Sequence, residues 1–227
     1  MGEQLRLRLD RPQTLRREDF ILSPTNASAM AILDSWPMWP GGALALVGPA
    51  GTGKSHLAMD WANRVGARVV RGSGVTAPLI EFDGGPVLVD DADRLGDDET
   101  LFHLINMAAR PGGGLLLTSR LAPKFWLAEL PDLRSRLNAL PVAELDEPDD
   151  LVLQGVLKKF FRELSIRPSE ELISYLLRRI ERSVPKAKEV VSRLDVLADQ
   201  ERRPVTRALA RHMLGAELDA ADLLDGL

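Results

Sequence analysis

The segment GPAGTGKS at 48–55 constrains this chain more than any other, because it fills the pattern G-x-x-x-x-G-K-[ST] with Gly48, Gly53, Lys54 and Ser55. The apolar run ALALVG at 43–48 leads into it. Leu57, Ala58, Trp61, Ala62 and Val65 follow on one helical stripe that Gly66 can end. Strand, glycine-rich turn and helix in that order are the context a phosphate-cradling loop demands. Gly51 and Gly53 let the backbone turn its N–H groups inward around a phosphate, and the helix N-terminus adds its dipole. Lys54 then reaches the β and γ phosphates of a nucleotide, and Ser55 ligates Mg²⁺.

Such a loop needs a second acid for the metal, at the end of another buried strand. PVLVDDAD at 86–93 supplies one: Asp90 closes the apolar run 36 residues after Lys54, and Asp91 follows. The pattern predicts that Asp90 holds Mg²⁺ through its water shell and that Asp91 polarises the attacking water as a base. The alternative for both is to cap the next turn. LLLTSR at 115–120 reads as a third core strand with Thr118 and Ser119 at its carboxyl end. Those hydroxyls either sense the γ phosphate or begin a loop. LPDLRSRL at 130–137 puts Arg134 and Arg136 at the end of a short helix, either as an arginine finger for a neighbouring subunit or as surface salt bridges.

These runs, with ARVVRG at 67–72, are near-continuous apolar strands separated by helical patterns, which is how a parallel sheet covered on both faces reads. One of the helices begins at Asp97-Asp98-Glu99, buries Leu101, Leu104, Ile105 and Ala108 and stops before Pro111-Gly112. Beyond Pro148 no strand-like run appears. Helical patterns follow near 149–163, 169–182, 186–198 and 204–214, with Asp149, Ser169 and Thr206 as starts or first-turn residues. The expected division is therefore an extended tail at 1–17, an α/β nucleotide domain at 18–145 and a small all-α domain at 146–227.

Composition narrows the chemistry further. The chain has no cysteine, which excludes disulfides, a thiolate nucleophile and Cys-dependent zinc sites. Its three histidines, His56, His103 and His212, lie in distant segments and make an all-His metal site an unfavoured reading. A formal charge of −4 argues against a dedicated nucleic-acid binder. No apolar run approaches the roughly 18 residues of a membrane helix. Glu3, Arg6, Arg8 and Asp10 stand where a signal peptide would have its apolar core, so a cytoplasmic protein without a membrane partner is expected. No N-K-x-D or L-S-G-G-Q string is present, which disfavours GTPases and transporter ATPases.

The order phosphate loop, acid pair, TS strand end, SRL arginine and helical lid resembles the AAA+ ATPases. Within them it resembles the DnaA-related Hda family, in its short α-proteobacterial type. REDFILSPTN at 17–26 looks like the family's adenine-side segment, GKSHLA its loop exit, VLVDDAD its acid pair, LPDLRSRL its arginine-finger box and QLRLRL at 4–9 its sliding-clamp-binding hexapeptide. The resemblance implies a Rossmann-like parallel sheet with a helical lid, and ADP or ATP with Mg²⁺ between them. Carried over, Gly48, Pro49, Ala50, Gly51, Thr52, Gly53, Lys54, Ser55 and His56 would cradle the phosphates. Phe20, Leu22 and Asn26 would line the adenine. Asp91 and Ser119 would act in catalysis, and Arg136 would be a finger acting in trans. Gln4, Leu5, Leu7 and Leu9 would dock on the DNA polymerase sliding clamp, although alternating Leu and Arg would also suit an edge strand. The implied role is to stimulate hydrolysis of the ATP held by DnaA and so prevent re-initiation, with self-association an open possibility. The alternatives are a free-standing ATPase and a helicase-loader adaptor resembling DnaC.

Two departures and one absence accompany the resemblance. Arg120 in TSRLAP stands where the family usually has an acid, and Pro185 in RSVPKAKEVV stands where its lid arginine should reach the nucleotide, with Lys186 and Lys188 the nearest cations. Together they imply nucleotide binding with weak intrinsic hydrolysis. After the lid the sequence reads AELDAADLLDGL, acidic rather than a basic helix-turn-helix, so sequence-specific DNA binding is not expected.

Overall fold

The computed structural model describes residues 17–74 and 84–224, with side chains through 215. Gln4, Leu5, Leu7 and Leu9 of the expected clamp-docking tail lie outside these residues. Five strands, β1 (Ala43–Val47), β2 (Arg68–Arg71), β3 (Pro86–Asp90), β4 (Gly114–Ser119) and β5 (Val142–Glu144), form one sheet in the order β2-β3-β4-β1-β5. Every neighbouring pair is parallel.

Alternation along the strands assigns the two faces. Ala43, Ala45, Val47, Val87, Val89, Leu115 and Leu117 point to one side, where α3 (Asp98–Ala108) and α4 (Pro131–Ala139) cover them with Leu101, Leu104, Ile105, Leu133 and Leu137. Leu44, Leu46, Leu88 and Leu116 point to the other, under α1 (Pro24–Asp34) and α2 (Lys54–Val65), which bring Ala29, Leu33, Leu57, Ala58 and Trp61. Trp39 stacks on Trp61 at 5.2 Å between centroids and fills the end of that layer. Each fully buried Leu contributes roughly 1.5–3 kcal/mol relative to exposure. The fold thus rests on period-two burial with both faces occupied, as parallel sheets require.

Two elements were not apparent in the sequence. Helix α1 starts at Pro24 after the extended Ser23, and strand β5 is only three residues long, added beside β1. Four further helices, α5 (Asp150–Glu163), α6 (Glu170–Leu177), α7 (Val184–Glu201) and α8 (Arg207–Leu224), enclose a separate core of Leu153, Phe161, Ile173, Val190 and Leu194. Their starts are fixed by side chains that accept orphan backbone N–H groups. Asp149 takes Val152 N–H at 2.9 Å, Ser169 takes Leu172 N–H at 3.2 Å and Ser183 takes Lys186 N–H at 3.3 Å. Among the described residues no helix is long and apolar enough to cross a membrane.

Candidate nucleotide-binding site

The loop from Gly48 to Gly53 leaves the carboxyl end of β1 and opens α2, so α2's free N–H groups face the loop. Gly51 at φ +78° and Gly53 at φ +97° occupy the left-handed region that only glycine enters freely. Both are also closely approached. A Cβ on Gly53 would stand 2.9 Å from the Phe20 ring, and one on Gly51 would stand 2.6 Å from Cδ of Pro185. Thr52 is buried and donates its hydroxyl to the Pro49 carbonyl at 3.1 Å.

Lys54 is folded into this loop. Its Nζ donates to the carbonyls of Gly48 at 2.7 Å and Pro49 at 2.6 Å. An ammonium carries three donors, so one is left for a ligand. Burial first, and the Arg120 charge second, hold Lys54 below the usual lysine range, while Asp91, Asp90 and Asp93 pull the other way. A bound phosphate would relieve that strain.

Strand parity explains which hydroxyls meet the acids. Leu88 and Leu116 point to the α2 face, so Asp90 and Thr118, each two residues further on, point there too. Thr118 Oγ1 donates to Asp90 Oδ1 at 2.6 Å and accepts the Asp91 N–H at 2.9 Å. Ser55 Oγ, at the start of α2, donates to the two Asp90 oxygens at 3.0 and 3.2 Å. Ser119 lies on the opposite parity. It is fully buried and donates its hydroxyl to the Leu121 carbonyl at 2.8 Å, while Thr118 is the strand-end hydroxyl that joins the cluster. Asp91 is exposed and left-handed at φ +55°. Its carbonyl is pressed by Gly72, where a Cβ would come within 2.1 Å. Sequence reading missed Gly72, whose close approach across strand ends carries no local signal.

The adenine-side segment divides its tasks. Phe20 covers Gly53 and meets His56 edge-on at 5.6 Å, so both rings stand at the loop exit. Leu22 is exposed. Asn26 is buried in a turn, where its Oδ1 accepts the Ser23 N–H at 3.0 Å and its Nδ2 donates to the Ile21 carbonyl at 2.9 Å. Asn26 therefore shapes the segment through its hydrogen bonds. Ile21 reaches the other half of the molecule, since a Cβ on Gly155 of α5 would meet its Cδ1 at 2.4 Å. The lid closes on the loop through Val184, whose N–H donates to the Gly51 carbonyl at 3.2 Å, and through Pro185.

Helix α4 carries the two candidate finger residues, and their surroundings differ. Arg134 donates to the Ala128 carbonyl at 2.7 Å and so fastens the loop before its own helix. Arg136 is exposed, its guanidinium 4.8 Å from the centroid of the Phe102 ring on α3.

The site's donors fit a magnesium-bound polyphosphate. The left-handed turns at Gly51 and Gly53 shape the loop, one Lys54 N–H remains for a phosphate, and Ser55 and Asp90 converge as a hydroxyl–carboxylate pair. Among the described residues no three His, Cys, Asp or Glu side chains converge as a metal cage. Mg²⁺ typically takes only one or two protein ligands and completes its shell with phosphates and water.

No family model matches the chain. The DnaA of Thermomicrobium roseum is 27% identical over 223 residues, covering 85% of this chain and 48% of that protein. The chain thus spans about half the length of the curated relatives it matches. Domain III of the Thermotoga maritima DnaA superposes with a TM-score of 0.73 at 20% identity, covering 90% of this chain and 97% of that one. The AMPPCP-bound DnaA of Aquifex aeolicus superposes at 0.63 and 21% identity, covering 82% and 67%. A point variant of the Thermotoga maritima RuvB superposes with a TM-score of 0.70 at 17% identity, covering 90% of this chain and 73% of that one. The fold is an AAA+ P-loop fold. RuvB matches it nearly as well as DnaA does, so the sequence relatives are what make this AAA+ domain DnaA-like.

Proposed function

We propose that the chain binds an adenine nucleotide with Mg²⁺ and acts as a clamp-associated regulator that stimulates hydrolysis of DnaA-bound ATP. The observation that carries the nucleotide reading is the Ser55–Asp90–Thr118 cluster set against the Lys54 loop, with Phe20 and His56 at the exit. The AMPPCP in the related DnaA structure supports adenine as the base.

Within this reading Lys54 holds the β and γ phosphates, and the N-terminal amides of α2 hold the phosphate nearest the loop. Ser55 and Asp90 hold Mg²⁺, which neutralises charge on the phosphates when bound. Thr118 fixes the Asp90 carboxylate, and Asp91 stands exposed beside it as the group that takes a proton from water. The lid meets the loop through Pro185 rather than through a cation, which supports a chain that retains nucleotide better than it hydrolyses it.

The regulatory half rests on Arg136 and on the QLRLRL string. Arg136 projects from α4 with only an aromatic face beneath it, the arrangement needed to enter a neighbouring subunit's site. Phosphate release from ATP-loaded DnaA, with clamp and DNA present, tests this. Arg136→Ala should abolish the stimulation, an effect on the order of 10³–10⁵ by analogy with GTPase activation, and Arg136→Lys should rescue poorly because it loses the planar fork. Arg134→Ala should keep stimulation and lower the melting temperature, since it unfastens Ala128. Alanine at Gln4, Leu5, Leu7 and Leu9 should remove capture by the clamp with no change in melting temperature. Capture by a replicative helicase instead of the clamp selects a loader-like adaptor, and robust turnover by the isolated chain selects a free-standing ATPase.

A further inference from the structure

One buried charge on α2 takes no part in the phosphate site. Asp60 lies beyond Lys54 by roughly 9 Å of helix rise, and its side chain is 9% exposed. It accepts from Arg64 Nε at 3.1 Å and stands 3.8 Å from Arg17 Nη1. Asp34, the last residue of α1, meets the same two guanidiniums: Arg64 Nη2 donates to one of its oxygens at 3.1 Å, and Arg17 Nη2 donates to the other. Two arginines and two acids thus form one cluster. Arg17 Nη1 is buried and has no hydrogen-bond partner among the described residues, which leaves Asp60 as the charge that answers it.

What the cluster holds is a single turn. Arg17–Asp19 form a 3₁₀ helix, and the Phe20 N–H closes it on the Arg17 carbonyl at 3.0 Å. A guanidinium fixed at one end of so short a turn fixes the ring at the other end, and that ring is the one set against Gly53 and edge-on to His56. From within the same turn Asp19 pairs with Lys159 of α5 at 3.0 Å. The turn is therefore fastened to α1 and α2 on one side and to the lid on another, and it bears on the phosphate loop with Phe20.

We infer that Asp60 is a positioning residue: through Arg17 it sets the Phe20 ring against the loop exit and so governs affinity for the base-bearing end of the nucleotide. The inference rests on the nucleotide reading above. A charge cluster suits this task better than it suits stability, since the cost of desolvating charges offsets much of their attraction, whereas a planar fork of donors defines an orientation.

NMR of the nucleotide-free protein and calorimetry with Mg²⁺-ADP test it on the wild type, Asp60→Asn, Arg17→Gln, Phe20→Ala and the double variant of Asp60→Asn with Phe20→Ala. The His56 ring protons feel the Phe20 ring, so in Asp60→Asn and Arg17→Gln their shifts should move toward those of Phe20→Ala. Both variants should bind Mg²⁺-ADP about tenfold more weakly per folded molecule, or about 1.4 kcal/mol, and Arg17→Gln does so with α2 untouched. In the Phe20→Ala background Asp60→Asn should add less than about twofold. Unmoved His56 resonances, unchanged ADP affinity in any of the single variants, or a full further loss in the double variant overturns the inference while leaving the phosphate loop intact. Full ADP binding by Lys54→Ala overturns the nucleotide reading itself, and this inference with it.

Discussion

The two halves of the molecule meet at the phosphate loop with different chemistry. Residues 17–148 carry 11 Lys and Arg against 17 Asp and Glu, an excess of six acids, whereas residues 149–215 carry 14 against 10, an excess of four bases. The basic half is nonetheless not the one that offers charge to the loop. Lys54, Ser55, Asp90 and Arg120 all come from the acidic half, and the lid touches the loop with Pro185 and a backbone N–H. Several of the lid's cations are paired along its own surface, Lys158 with Glu170 at 2.8 Å, Arg182 with Asp150 at 2.8 Å and Lys186 with Glu189 at 3.0 Å, while Lys159 reaches Asp19 of the acidic half at 3.0 Å. Net charge of a domain therefore says little about what its binding face presents. The loop is thus met by charged groups from the sheet side and by a proline ring and a backbone N–H from the lid side.

The comparison is broken most severely by removing lid packing. Phe161 is fully buried between the lid helices, and Phe161→Ala should cost about 3–5 kcal/mol of stability, read as a lowered urea midpoint. Nucleotide affinity per folded molecule should change little. An equal loss of affinity would mean that the lid recognises the ligand directly.

The charge side comes next. Lys54→Ala should weaken nucleotide binding at least about 100-fold, near 2.7 kcal/mol, with no loss of thermal stability, because the ammonium is desolvated in the free protein. Lys186→Ala should change affinity less than about twofold. If the two variants behaved alike, the lid would be supplying charge after all.

How much of this was legible in the sequence follows the range of each signal. The phosphate loop, its strand and its helix are contiguous, so Gly48 to Ser55 could be read directly. The acids and the lid helices followed from local apolar pattern and caps. Thr118 against Ser119 was a matter of strand parity, which Leu88 and Leu116 encode once Asp90 is known to share their face. Helix α1 escaped because PTNASAMAILD buries only Asn26, Ala29 and Leu33, and β5 because three residues make no pattern. Asn26 was assigned to the adenine by resemblance, while its hydrogen bonds go to Ser23 and Ile21. The contacts of Gly51 with Pro185, Gly72 with Asp91 and Gly155 with Ile21 join distant segments and leave no trace in local sequence.

A smaller effect tests the steric side alone. Gly51→Ala places a Cβ 2.6 Å from Pro185 and forces a left-handed alanine at φ +78°, together about 1–3 kcal/mol. Pro185→Ala in the same chain should return the part due to the clash and leave the backbone part, a coupling read from a double-mutant cycle of urea midpoints. Full additivity of the two substitutions would show that the loop and lid do not bear on each other.

The smallest effect separates the halves by acid. Asp97 caps α3 in the acidic half, accepting from the N–H groups of Glu99 and Thr100 at 3.1 and 3.2 Å and from the Thr100 hydroxyl. The Thr100 hydroxyl first, and its N–H second, hold the Asp97 carboxyl below the usual range. A carboxylate whose folded pKa is depressed contributes stability that is present above its unfolded value, near 4, and is lost as pH falls through the folded value. Ser183 caps α7 in the lid with a neutral hydroxyl, so its contribution carries no such slope. Asp97→Asn should therefore cost up to about 1 kcal/mol at neutral pH, shrinking toward zero by roughly pH 3. Ser183→Ala should cost about 1 kcal/mol at both. Urea midpoints of the two variants against the wild type across that range measure the difference. A Ser183→Ala deficit that fades in acid as fast as the Asp97→Asn deficit would place an unrecognised titrating group at the lid end of the loop and remove the distinction between a charged wall and a neutral one.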